Sequence, residues 1–203
     1  MVADDMTSAP ALRKKVSIEE YLAMEAASDE KHILWDGEVF SVVAMAGGTP
    51  DHSTICANVI IALGVALQRS RYRVMTSDQK VWVPARKGFV YPDATVVCGR
   101  LELYPDTIDV ITNPVLVVEV LSAGTERFDR GEKFEGYRGV ASLRHYLMVS
   151  SARRSVEHYT RGENGAWILR EYGEGAALRV SEPDLAIEVD ALYRMALGAD
   201  AEV

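Results

Sequence analysis

The sequence predicts a mixed α/β (α+β) fold in one domain, and three features of its patterning predict it. Ile55, Val59, Ile60, Leu63 and Leu67 recur at helical spacing. Two β-branched apolar runs, residues 90–98 and 114–122, read as strands covered on both faces. Beyond residue 155, short alternating segments are separated by glycine-bearing turns, the pattern of an antiparallel meander. Helices bracketing a mixed central sheet accommodate all three. At 203 residues, 48% of them hydrophobic, the chain can bury a substantial core.

The elements follow in order. Residues 1–16 read as a flexible arm and residues 17–203 as the folded domain. Ser17 is expected to cap a helix running to about residue 27, with Glu20 as its capping-box partner. Residues 31–46 read as a hairpin, HILW and EVFSVVAM around an Asp36-Gly37 turn, broken at Gly47-Gly48. Thr49 caps the next helix, with Pro50 in its first turn, to about residue 70. Residues 72–84 and 88–98 are expected to be two strands, paired antiparallel around residues 85–87. Residues 100–113 read as a polar connection with a short helical turn. The strand at 114–122 comes next, then a loop and a helix that Asp129 caps and Gly139 ends. Residues 142–150 form a strand, residues 155–160, 166–172 and 177–180 the meander, and residues 190–197 a closing helix.

Net charge is −8, which excludes a protein that coats nucleic acid by bulk charge. A local basic groove remains compatible with it, since steering depends on distribution. Arg69, Arg71 and Arg73 cluster, as do Arg127 with Arg130 and Arg153 with Arg154, but nothing assigns any of them to phosphate rather than to a solvated face. Cys56 and Cys98 belong to no CxxC pair, so structural zinc and a disulfide framework are not expected, and both read as core residues. Trp82 and Trp167 read as core or interface. The N-terminus has no apolar run of the secretory kind. The longest membrane-like run, residues 59–67, is far short of the ~18 residues a span needs. No membrane association is expected, and a reducing cytoplasm is the expected compartment. The absence of GxxxxGK[ST], GxSxG and HExxH strings excludes a P-loop hydrolase, a serine-triad hydrolase built on Asp51 and His52, and a zincin.

The chemistry is expected where acids interrupt the greasy runs. Glu119 sits in the middle of PVLVVEVLS, and Asp93 follows Pro92 in VYPDATVVC. Twenty-five residues lie between them, enough for the rest of one strand, a loop and entry into its neighbour. Two carboxylates brought together in apolar surroundings raise each other's pKa unless a cation lies between them. A divalent metal with oxygen ligands meets that need, and magnesium takes one or two carboxylates and keeps several waters. The alternative is a buried salt bridge to arginine.

The strings YPDATVVC, PVLVVEVLS, DRGEKFEGYR and VASLRHYLMV, with SIEEYLAME, the DGE at residues 36–38 and a histidine at the second helix start, resemble the Uma-type family of restriction endonucleases. That family is a branch of the PD-(D/E)XK phosphodiesterase superfamily, and the resemblance spans residues 17–172. It implies a restriction-endonuclease-like fold, a need for Mg²⁺ with Mn²⁺ as substitute, and hydrolysis of phosphodiester bonds in nucleic acid, DNA above all. By resemblance Asp93 is the central metal ligand, Glu119 completes the site, and Val120 offers its main-chain carbonyl. The superfamily lysine position is Leu121 here. Lys133 on the following helix matches the family's alternative, with Tyr137 on the same helix face. Lys80 is a rival, and His52 is an accessory residue near a phosphate or the metal's outer shell. A further family glutamate is replaced by Ile33. Ile33 and Leu121 also fit a degenerate member that only binds nucleic acid or a protein. Cutting both strands of a duplex favours a homodimer.

Overall fold

A computed structural model describes residues 15–42 and 48–198. Helix α1 (Ile18–Ala26) starts at a reciprocal capping box: Glu20 N–H donates to Ser17 Oγ at 3.1 Å, and Ser17 N–H donates to the Glu20 carboxylate at 2.7 Å. Strands β1 (His32–Trp35) and β2 (Glu38–Ser41) are joined by Asp36 and Gly37. Their φ values of +50° and +85° are those a two-residue type I′ turn requires. The expected continuation of this hairpin to residue 46, and Gly47, lie outside the described residues, as do residues 1–14 of the arm.

Helix α2 (Pro50–Leu67) begins at Thr49, whose hydroxyl accepts from the His52 N–H at 3.1 Å. Its stripe of Ile55, Val59, Leu63 and Leu67 is buried. By length and composition α2 could cross a membrane, a property the uninterrupted run at residues 59–67 did not reveal because His52, Ser53 and Asn58 break it. Here the stripe packs on strand residues.

The two strands expected over residues 72–84 and 88–98 are each broken in two. They become β3 (Tyr72–Thr76), β4 (Lys80–Val83), β5 (Gly88–Val90) and β6 (Ala94–Cys98). The pairing is antiparallel as expected, but β3 pairs with β6 in one sheet and β4 with β5 in another. The ribbon therefore crosses between sheets at residues 77–79 and again at 91–93. Pro92 has no N–H to continue a ladder, so the second crossing falls beside Asp93.

No helical turn forms over residues 100–113. Strand β7 (Val110–Ile111) lies there and joins β4 in parallel. Strand β8 (Pro114–Leu121) carries Glu119. Helix α3 follows in three segments, Glu126–Phe128, a π-turn at Asp129–Lys133, and Phe134–Tyr137. The helix thus starts before Asp129, which caps nothing and is buried inside it. Strands β9 (His145–Ser150), β10 (Ser155–Arg161) and β11 (Trp167–Gly173) form the meander. Strand β12 (Ala177–Ser181) leaves it to pair with an unforeseen β13 (Asp184–Glu188). The closing helix α4 is only Val189–Leu192, because Met195 and Leu197 adopt positive φ.

The six-stranded sheet runs β11-β10-β9-β8-β6-β3, with β8 and β9 parallel. The five-stranded sheet runs β2-β1-β5-β4-β7, and β12-β13 stands apart. Side chains alternate along β8. Leu116, Val118 and Val120 join the core under α2, whereas Val117 and Leu121 pack with Trp35, Val83 and Tyr137. Glu119 shares that second face.

The junction of α3 with β1 and β4 tolerates no side chain at Gly136. A Cβ there would lie 2.6 Å from Trp35 Cη2 and 3.0 Å from Val83 Cγ1. Gly136→Ala is expected to cost ~1–3 kcal/mol, read by urea denaturation. A buried histidine pair links stability to acid pH. His145 Nδ1 and His158 Nε2 lie 3.0 Å apart, and burial lowers both pKa values from 6.5 to about 4. A depressed folded-state pKa contributes stability above the unfolded value and loses it as pH falls. The melting temperature is therefore expected to drop between about pH 6.5 and about pH 4, and His158→Gln to flatten that limb.

Candidate active site

Four elements converge on one cleft of about 360 Å³: the start of α2, the β5–β6 crossing, the end of β8, and α3. Asp93 owes its position to the break at Pro92. Its Oδ2 accepts the Val120 N–H at 2.7 Å, so the carboxylate is tied to β8 rather than to its own strand. Glu119 is 3% exposed, and both its oxygens are engaged. Oε1 accepts from the Tyr137 hydroxyl at 3.0 Å, and Oε2 faces Lys133 Nζ at 2.8 Å.

Both ends of DRGEK are buried, and Lys133 reaches Glu119 from the π-turn. The same ammonium donates to Asp129 Oδ1 at 3.2 Å. Insertions of this kind in helices recur at functional sites. Three carboxylates, Asp93, Glu119 and Asp129, thus gather around one lysine, which contacts the last two, in a largely desolvated pocket. Burial is the main cause that pushes Glu119 up to about 8, with Asp129 and Asp93 adding to it against the pull of Lys133. Burial likewise raises Asp93, opposed by the Val120 N–H, Lys133 and His52. Burial opposes the charge on Lys133, but Asp129, Glu119 and Asp93 hold its pKa above the ordinary range. Tyr137 is raised by burial and by Glu119, and stays a neutral donor.

His52 turns into the cleft from the first turn of α2, with Nε2 2.9 Å from the Val120 carbonyl oxygen. The carbonyl assigned to metal therefore already accepts one hydrogen bond and keeps its second lone pair. Cys56, one helical turn on, is not a plain core residue: its sulfur lies 3.6 Å from His52 Nδ1 and within 4.8 Å of an Asp93 carboxylate oxygen. Burial and the Asp93 charge push its thiol well up. His52, Cys56 and Asp93 offer ligand atoms within 4.8 Å of one another, a possible divalent-metal ligand set.

Lys80 is neither in the cleft nor facing solvent. It is buried, pairs with Asp109 at 3.1 Å and faces the Tyr21 and Tyr91 rings. Ile33, 5% exposed, forms part of the cleft wall. Among the described residues neither Asp93 nor Glu119 pairs with an arginine, so the buried salt-bridge alternative takes a lysine form. Arg130 is held by Glu126 and Glu157, and Arg154 by Glu174 and Asp190. Arg69, Arg71, Arg73, Arg127 and Arg153 are exposed. Trp82 packs on Phe89 and Tyr104, and Trp167 on Phe134. Sequence reading took Asp129 for a helix cap and Cys56 for a core residue, and so missed both as site residues. The i,i+4 spacing of each with a chosen residue, Lys133 and His52, was the signal that could have found them.

Comparison with known proteins gives the family and the fold. Over 180 residues the chain is 34% identical to the uncharacterized protein slr1290 of Synechocystis sp., covering 89% of this chain and 92% of that one. It is 30% identical to sll1609 of the same organism, also uncharacterized, over 84% of this chain and 96% of that one. A crystal structure of "a putative nuclease belonging to DUF820" from Anabaena variabilis superposes with a TM-score of 0.68. It is 13% identical and covers 88% of this chain and 98% of that one, which speaks for the fold. The model of the Uma2 family, described as "Putative restriction endonuclease", matches residues 18–192. The fold is therefore nuclease-like, and the chain belongs to the Uma2 family.

Proposed function

We propose that the protein is a magnesium-dependent endonuclease that hydrolyses phosphodiester bonds of DNA, with Mn²⁺ as substitute, and that it acts in the cytoplasm as a homodimer. One observation carries this reading: three carboxylates, two of them in contact with a single ammonium, line one cleft, an acidic set that a divalent cation would hold in the ionised form. The donor set fits magnesium, being all oxygen, with Asp93, Glu119 and the free lone pair of the Val120 carbonyl at hand. Asp93 and Glu119 would hold the ion, which supplies Lewis-acid stabilisation of phosphoryl charge when bound.

The chain's own groups do the rest. The Val120 N–H and the His52 ring fix the aim of Asp93 and of the Val120 carbonyl. Tyr137 holds one Glu119 oxygen and keeps the other turned to Lys133. Lys133, whose ammonium faces Glu119 in the cleft, would orient an attacking water or meet charge developing on phosphate.

A degenerate member that binds nucleic acid or protein without turnover is the second reading. It is favoured by Ile33 in the wall, where the family carries an acid, and by the engagement of both Glu119 oxygens. Calorimetry with Mg²⁺ and Mn²⁺ on wild type and Glu119→Ala, alongside plasmid-nicking gels, separates the two. Metal binding and nicking that both vanish in Glu119→Ala support the nuclease. Binding without nicking selects the degenerate reading, and no binding at all overturns the site.

A further inference from the structure

We propose that His52, Cys56 and Asp93 form a second cation site, suited to a borderline-soft transition metal such as Zn²⁺ rather than to Mg²⁺. Zn²⁺ binds nitrogen and sulfur readily, whereas Mg²⁺ prefers oxygen throughout. The three residues offer one nitrogen, one sulfur and one oxygen within 4.8 Å of one another. The spacing of the first two is that of ligands on one ion. Zinc bonds of about 2.3 Å to sulfur and about 2.05 Å to nitrogen, at a tetrahedral angle, separate those donors by ~3.6 Å. The observed distance from Cys56 Sγ to His52 Nδ1 is 3.6 Å.

The histidine is set in the tautomer that ligation needs. Its Nε2 lies 2.9 Å from the Val120 carbonyl oxygen. A carbonyl only accepts, so Nε2 carries a hydrogen, and with that single hydrogen on the ring Nδ1 would present its lone pair toward Cys56. Metal-binding histidines ordinarily donate their second N–H to a carbonyl or carboxylate in this way. Asp93 is anchored by one oxygen to the Val120 N–H, which holds the carboxylate in place across from α2. Three protein ligands leave a fourth position open to the cleft.

Sharing Asp93 makes the two sites exclusive. This consequence rests on the nuclease reading, while the site itself does not: Zn²⁺ on His52, Cys56 and Asp93 withdraws that carboxylate from Mg²⁺ and stops cleavage.

Co²⁺ titrated anaerobically into the full-length protein serves as the probe. Wild type and Cys98→Ser are expected to develop a thiolate-to-cobalt charge-transfer band that Zn²⁺ bleaches, and Cys56→Ser to lose it. Zinc-edge X-ray absorption on wild type, which needs no variant to fold, is expected to show a sulfur neighbour. Glu119→Ala is expected to keep the band while losing nicking. Zn²⁺ is expected to inhibit Mg²⁺-dependent nicking, with a midpoint raised ~10-fold or more in Cys56→Ser. A sulfur-free zinc shell, a band that survives in Cys56→Ser, or one lost in Cys98→Ser overturns the site. A cobalt band in a wild type that nicks nothing supports this site and sinks the nuclease reading. Nicking with no band does the reverse.

Discussion

Lys133→Met is expected to destabilise the metal-free protein by ~3–5 kcal/mol, the cost of leaving buried charge without its partner. The lysine is the only cation in direct contact with Glu119 and Asp129 among the described residues. Without it, Asp93, Glu119 and Asp129 repel one another in a pocket that little water enters. Proton uptake by the acids offsets part of the cost at low pH. The deficit should therefore widen as pH rises through the folded pKa of Glu119, about 8 in the intact site. Guanidinium denaturation at acid and alkaline pH measures it. Millimolar Mg²⁺ should restore part of the loss by mass action, since the ion replaces the missing charge. A variant as stable as wild type at alkaline pH would mean that the acids are already neutral and need no cation.

Asp93→Asn is expected to abolish metal-dependent nicking while leaving the fold within ~1 kcal/mol of wild type. An asparagine oxygen can still accept the Val120 N–H that Asp93 holds at 2.7 Å. What it cannot supply is charge. Metal-based charge stabilisation is worth several kcal/mol, and at about 1.4 kcal/mol per tenfold its loss is ~10³-fold or more in rate. Single-turnover cleavage of a supercoiled plasmid reads the rate, and thermal denaturation reads the fold. Retained nicking would place the metal, if one is used, away from Asp93.

Much of this site could be read from residues alone, because its strongest signals are local. Glu119 stands out as a carboxylate in a β-branched strand, whereas Lys133, on the following helix, is reached only through the family resemblance. The caps at Ser17 and Thr49 and the Asp36-Gly37 turn are likewise decided within four residues of sequence. What the sequence hid is non-local. Residues 72–84 and 88–98 look continuous because each half carries β-branched and aromatic residues, although the halves lie in different sheets. Asp129 looks like a helix cap because acids favour helix starts, yet its carboxylate is drawn inward by Lys133. Strand β13 is short, and its alternation only acquires meaning once β12 lies beside it.

Placing Asp93 in the second crossing between the sheets has a consequence for how the molecule matures. Glu119 and Val120 lie on β8 of the six-stranded sheet, but Asp93 sits in the β5–β6 connection, whose path is complete only once both sheets have docked. Affinity for a divalent ion should therefore arrive last along the folding route. A metallochromic dye followed in a stopped-flow refolding run would then report completed assembly, lagging behind fluorescence from the buried Trp35.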